Sequence, residues 1–281
     1  MSDDRRVSGL LLCAQQELRL AVRSRWTQTF AAVFAALSIA VAGSGYVLSG
    51  GSGLQDFART AASLVQLVVL LVPLTALMIG VLALAPEKGS AELLFSQPVP
   101  RRTVLAGRLL GLLAALGAAQ AIGLGGAGLL IFSRTGSDGL AGYALVFAGA
   151  LVLTAAFLGI AALLVSGGVG RRARALALGL IVWFGAVVLW DVAALGAASL
   201  LPSSAASRLL ITAVLINPID AVRTGSLLGI QGTTAFGAAS LALLRFTRGP
   251  AGAATLLTLS AVAWLAVPAW IAARRLERAD L

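Results

Sequence analysis

Six long apolar runs constrain this chain more than any other feature; they fall at residues 28–49, 61–84, 103–132, 141–165, 176–200 and 251–273. Each has the roughly 20 mostly apolar residues that a helix needs to cross a bilayer. None alternates with period two, so helices are expected and not the strands of a barrel. The chain is 59% hydrophobic and 11% charged. Soluble domains run nearer half apolar and a quarter charged, roughly, and their surfaces cannot hide such an excess. The expected fold is an all-α integral membrane bundle of six transmembrane helices, forming one domain over residues 1–281. Glycine is frequent, with a cluster at Gly123, Gly125, Gly126 and Gly128. In lipid such small residues allow close helix contact.

Charge gives the bundle a direction. The arginines and the single lysine gather at the ends of the apolar runs, which is a topology signal and not a nucleic-acid footprint. One side carries Arg5, Arg6, Arg19, Arg23, Arg25, Lys88, Arg101, Arg102, Arg108, Arg171, Arg172, Arg174, Arg274, Arg275 and Arg278. The other carries only Arg59, Arg134, Arg208, Arg223, Arg245 and Arg248. The richer side is expected in the cytoplasm, with both termini there, as an even number of spans requires. The first 25 residues lack an apolar core with a small-residue cleavage site, so no cleaved signal peptide is expected.

Three segments outside the spans carry information. Residues 1–27 interleave Leu10, Leu11, Leu18 and Val22 with Gln15, Glu17, Arg19 and Arg23, the pattern of a helix lying in the interface. The loop 86–102 has a short helical core at 91–95 between Gly89 and Pro98, suited either to a plain connector or to docking a soluble partner. Residues 202–250 form the longest connection, an external loop that is not plainly polar. An apolar stretch at 209–216 ends at the Asn217-Pro218 turn signal, and 219–230 has the character of a second short helix. Re-entrant or interfacial helices fit this segment, and so does a poorly formed seventh span.

The absences narrow the chemistry. There is no histidine, one cysteine (Cys13) and two methionines, so the usual zinc ligand sets cannot form and no disulfide can close within the chain. No phosphate-binding loop is present, and no span holds a pair of carboxylates, so an intramembrane enzyme is not expected. Asp191 is the one acidic residue placed within a span. A charge there is expensive unless paired, and it suits either a polar group in a translocation path or switch, or helix–helix attachment. Asn217, Pro218 and Asp220 make a local turn and cap. Trp26, Trp183, Trp190, Trp264 and Trp270 suit interface and packing positions, and Pro73 and Pro268 fall inside spans, where kinks are expected.

The loop 86–102 also carries a resemblance. Glu87, Gly89, Ser90, Glu92, Leu93, Leu94, Gln97, Pro98 and Val99, followed by Arg101 and Gly107, resemble the coupling-helix region of type-2 ABC exporter permeases. Ser90 stands where that family usually has Thr, and Pro86 and Lys88 are less usual neighbours of the acid. Residues 23–26, Trp183, Phe184, Asp191, Leu215, Asn217, Pro218, Asp220, Arg223, Arg274 and Arg275 extend the similarity to the branch that serves nitrous oxide reductase maturation.

The resemblance implies a homodimeric, non-catalytic permease in the inner (plasma) membrane. ATP and Mg would be bound by an ATPase subunit resembling NosF. That subunit would dock on Glu87, Gly89, Glu92, Leu93, Leu94 and Phe95. A periplasmic protein resembling NosD would contact the external segment around Asn217, Pro218, Asp220 and Arg223. The cargo implied is a component for the copper-sulfur centre of nitrous oxide reductase. Copper prefers sulfur and imidazole ligands, which this chain almost lacks, so a sulfur species fits the residues better than copper. Two alternatives remain open: a permease of the same family for a drug, lipid or polysaccharide, and an ion-driven secondary transporter, which would want more intramembrane carboxylates and an internal repeat. Replacing Glu92 by Lys and Leu93 by Asp is expected to abolish co-purification of the ATPase while leaving the permease folded; unchanged co-purification would reject the docking site.

Overall fold

A computed structural model describes residues 3–47, 54–85, 100–137, 139–167, 172–231 and 238–278. Among them nearly every residue is helical and there is no strand. The helices are α1 (Asp3–Arg23), α2 (Arg25–Val47), α3 (Leu54–Leu84), α4 (Arg101–Thr135), α5 (Leu140–Ser166), α6 (Arg172–Ser199), α7 (Ser203–Ile216), α8 (Pro218–Gln231), α9 (Ala238–Phe246) and α10 (Pro250–Arg278). Six of them, α2 to α6 and α10, are long and apolar enough to cross a membrane, as expected. The docking helix expected at 91–95 lies outside the described residues.

The bundle centres on α3, α4 and α5. Leu64, Leu77, Leu112, Leu116, Leu124, Leu153, Phe157 and Leu158 are almost fully buried there. Polar contacts cross this core between α4 and α5: Gln120 donates to the Thr154 hydroxyl at 2.6 Å, that hydroxyl donates to the Ala150 carbonyl at 2.8 Å, and the Tyr143 hydroxyl donates to the Leu124 carbonyl. α2 packs on α4, where Gly123 lets the Phe34 ring and the Ala35 backbone come close. α10 packs on α5, with Pro268 and Ala269 over Gly159. α6 leans mainly on α3, and only 11% of its most apolar stretch is buried. Its outer face is therefore left to lipid or to another protein surface. Pro73 and Pro268 lie within helices that continue through them. Pro73 cannot donate to the Val69 carbonyl, and beside it the Thr75 hydroxyl donates back to the Leu71 carbonyl at 2.8 Å.

The helix ends sort into two groups. At one end Arg101 donates to the Leu276 carbonyl at 2.9 Å, Arg102 pairs with Glu277, Arg108 donates to the Ala83 carbonyl and Arg172 to the Leu82 carbonyl at 2.7 Å. The start of α1, the end of α10 and the helix ends flanking residues 86–99 and 168–171 thus share one end. At the other end Gln231 donates to the Ala58 carbonyl at 3.1 Å, beside the turn that joins α4 to α5 through Gly136 and Gly139.

α1 lies along the first half of α4. Two glycines of α4 make this possible. A Cβ on Gly107 would meet the Leu10 carbonyl oxygen at 2.7 Å, and one on Gly111 the Ala14 carbonyl oxygen at 2.5 Å. The contact is closed by an ion pair, Arg108 Nε to Glu17 Oε2 at 2.8 Å, with Glu17 buried.

The described residues between 203 and 246 are nearly all helical, in α7, α8 and α9, where short helices were expected. Ile211, Val214, Ala221 and Leu243 form a second small core with Ala253 and Leu257 of α10. α9 was not expected as an element. Gly111→Ala is expected to lower stability by about 1–3 kcal/mol, because the backbone it meets cannot yield without strain. Gly125→Ala, with nothing within 4 Å of the added carbon, is expected to be neutral or stabilising. Thermal melts of the two variants in detergent check the contrast.

Candidate functional site

The site begins with a break in the chain. α7 ends at Ile216, α8 starts at Pro218, and their axes are bent by 98°. Proline is favourable as the first residue of a helix, where its missing N–H is no loss. Asn217 precedes it in an extended conformation, and its Oδ1 accepts from the Ile219 N–H at 3.1 Å, capping α8. α7 starts where α6 ends, and α8 finishes beside the start of α3. Both outer ends of the bent pair therefore lie at the same end of the bundle. The pair enters and returns, which favours the re-entrant form over a seventh span.

The depth of the hinge follows from its partner. Asn217 Nδ2 donates to the Ala186 carbonyl of α6 at 2.8 Å. Ala186 lies thirteen residues before Ser199, about 20 Å along the axis at 1.5 Å per residue. The hinge is thus level with the middle of α6. That part of α6 is itself irregular: residues Gly185–Leu189 form one wide π-turn, closed by the Trp190 N–H donating to the Gly185 carbonyl. Such turns recur at functional sites.

A break inside a bundle leaves the last carbonyls of α7 without helical donors. The Ala213 carbonyl keeps the Asn217 N–H at 3.2 Å, and three side chains from other helices add donors to this end. Trp190 donates its indole N–H to the Ala213 carbonyl at 3.1 Å, Ser260 its hydroxyl to Leu215 at 2.6 Å, and Trp264 its indole N–H to Ile216 at 2.8 Å. Trp190 and Trp264 thus act as donors to a helix end, a role that the interface and packing positions expected for them did not include.

Asp191, which the sequence placed within a span, meets here Asn217, Asp220 and Arg223, which the sequence grouped in the segment that follows. Arg223 of α8 pairs with Asp191 of α6 at 2.9 Å and with Asp220 one turn back on its own helix. Asp220 also accepts from Asn217 Nδ2 at 3.1 Å. The question left open for Asp191 is answered by Arg223, an arginine from the re-entrant pair. Asp220 and Asn217 are buried, while Asp191 and Arg223 are partly exposed, with side-chain exposures of 35% and 29%. The cluster holds two carboxylates against one guanidinium. It ties the broken pair to a spanning helix through one guanidinium that contacts both acids. Glu87, Gly89, Glu92, Leu93, Leu94 and Phe95 lie outside the described residues. Among the described residues no group of three or more His, Cys, Asp or Glu could hold a metal ion.

Comparison with known proteins places this architecture. Residues 11–281 match the model of a family described as ABC-2 family transporter protein. A protein named probable ABC transporter permease protein NosY from Pseudomonas aeruginosa is 31% identical over 266 residues, covering 92% of each chain. Another of the same name from Stutzerimonas stutzeri is 32% identical over 265 residues, again covering 92% of each.

Breaking the cluster should be costly in an ordered way. Arg223→Gln leaves Asp220 buried and unpaired, and is expected to destabilise toward the low end of about 3–5 kcal/mol, given the partial exposure of the guanidinium. Asp191→Asn should cost less, and adding Asp220→Asn to Arg223→Gln should recover part of the loss. Melting temperatures of the purified variants check the order.

Proposed function

The chain belongs to the ABC-2 family of transporter proteins and is the permease subunit of an ABC transporter similar to NosY, and we propose that it serves the maturation of nitrous oxide reductase. In this reading residues 1–281 act as one transmembrane domain, paired with a second copy in the inner membrane. An ATPase subunit resembling NosF binds ATP and Mg and docks on the loop 86–102, through Glu87, Gly89, Glu92, Leu93, Leu94 and Phe95. The arginine-rich end faces the cytoplasm, in keeping with the positive-inside rule. The amino-terminal helix α1, packed on α4, lies along that interface.

The observation that carries the reading is the common end shared by the start of α1, the end of α10 and the flanks of the loop. α3 and α4, which enter and leave that loop, are linked to α6, α10 and α1 through Arg172, Arg101, Arg102 and Arg108. A push on the loop therefore has direct mechanical partners in most of the bundle. At the far end the α7–α8 pair would meet a periplasmic protein resembling NosD. Asn217 and Asp220 are buried, so such a partner would act on them through the helices that hold them, with Arg223 linking Asp220 to Asp191. Cargo is where residue chemistry matters most: with no histidine, one cysteine and two methionines, a sulfur species suits this permease better than copper.

Deleting the gene in a host that respires nitrous oxide is expected to leave the reductase without an active copper-sulfur centre, measured as loss of nitrous oxide consumption. Normal consumption would overturn the assignment to this pathway. Stoichiometric copper binding by the purified dimer would overturn the preference for sulfur alone.

A further inference from the structure

At the arginine-rich end, α1, α2, α3, α4 and α6 leave a cavity of about 230 Å3 between them. Among the described residues its charged lining is Arg108, Arg172 and Glu17, one cation in excess. The two guanidinium groups are held in place, Arg108 by Glu17 and the Ala83 carbonyl, Arg172 by the Leu82 carbonyl. A guanidinium has five N–H donors in a planar fork, so those contacts leave Arg108 with donors to offer.

Thr27 adds a separate signal. It lines the same cavity at 4% exposure, and its hydroxyl is buried with no hydrogen-bond partner among the described residues. Leaving such a group unsatisfied is costly, and an acceptor oxygen placed in the cavity would relieve it. The rim is of opposite character. Leu20 and Trp26 line the cavity yet are 59% and 68% exposed, at the point where α2 begins its span.

A cationic interior with a free hydroxyl, opening past exposed apolar side chains at a membrane surface, matches a charged head with apolar tails. The volume agrees: pockets that enclose whole small molecules run to roughly 300–1,000 Å3, whereas this one has room for a headgroup whose chains stay outside. We propose that the cavity binds the phosphate of an anionic phospholipid from the adjacent leaflet, held by Arg108, Arg172 and Thr27, with the acyl chains leaving past Leu20 and Trp26. The lipid would bridge α1 to the helices flanking the loop 86–99. This site needs neither the ATPase nor the cargo, so it stands or falls apart from the transport reading.

The test uses the full chain purified in detergent and native mass spectrometry with added phosphatidylglycerol or phosphatidylcholine. Arg108 also anchors α1, so the variants are Thr27→Val and Arg172→Gln. The wild type is expected to retain one phosphatidylglycerol per chain in preference to phosphatidylcholine. Each variant is expected to retain it roughly tenfold more weakly, the loss of one charge-assisted contact or its equivalent. The melting temperature of lipid-free Thr27→Val should be unchanged or raised, since the hydroxyl it removes has no partner among the described residues. Equal retention by wild type and both variants, or equal retention of the two lipids, would overturn the site. Displacement of the lipid by millimolar inorganic phosphate would assign the cavity to a free anion and overturn the lipid.

Discussion

Inside a bilayer no water is available to satisfy main-chain groups, so every interruption of a helix must find its hydrogen bonds within the protein. The break at Asn217 is where this chain meets that demand. The hinge sits at the level of Ala186, where the Leu215 and Ile216 carbonyls take outside donors and the Ala213 carbonyl gains one beside the Asn217 N–H. Trp190, Ser260 and Trp264 reach them from α6 and α10, and Asn217 serves both the start of α8 and the irregular turn of α6. The position of the charged cluster depends on this arrangement. Arg223 faces Asp191 only because α8 is held folded back against the middle of α6.

The opposite end of the bundle is built on a different economy of contacts. Here the helices approach through glycine and are locked by arginine. Gly107 and Gly111 bring two helix backbones close, and Arg108 joins three elements at once: its own helix, Glu17 of α1 and the last turn of α3. Arginine suits these junctions because its planar fork can serve a carboxylate and a carbonyl together, which a lysine cannot do in the same geometry. The two ends therefore differ in kind. One is a set of arginine contacts among helix ends, and the other is a hinged pair held by hydrogen bonds to its break, an ion-pair cluster and a small apolar core.

Much of this was visible in the sequence, for a simple reason: a span is a matter of length and apolarity, and both are local. The hinge was visible too, because Asn-Pro is a turn signal wherever it occurs. The ends of helices were less so. α3 begins at Leu54, before its apolar run at 61, because the early residues Phe57, Thr60 and Ala61 are buried against neighbours and not because they are strongly apolar as a group. The partner of Asp191 was not visible at all. Arg223 is 32 residues away, and the two meet only once the re-entrant pair has folded back. The tryptophans were assigned to interface and packing positions, yet what places Trp190 and Trp264 is the indole N–H and a helix end that the sequence does not announce.

The π-turn at Gly185–Leu189 has one more consequence, which is a matter of phase. A wide turn takes up one residue beyond what an α-helix needs for the same rise, and each residue is worth about 100° of rotation. Everything on α6 after Leu189 is therefore turned by more than a quarter-circle relative to an unbroken helix. The two halves of α6 keep different rotational frames: Trp183 in the first donates to the Leu70 carbonyl of α3, and Trp190 and Asp191 in the second address the hinge. A single helix thereby serves two neighbours that no straight helical stripe would reach together. The spare residue acts as a frameshift written in the backbone, and the pairing of Asp191 with Arg223 is set in that second frame.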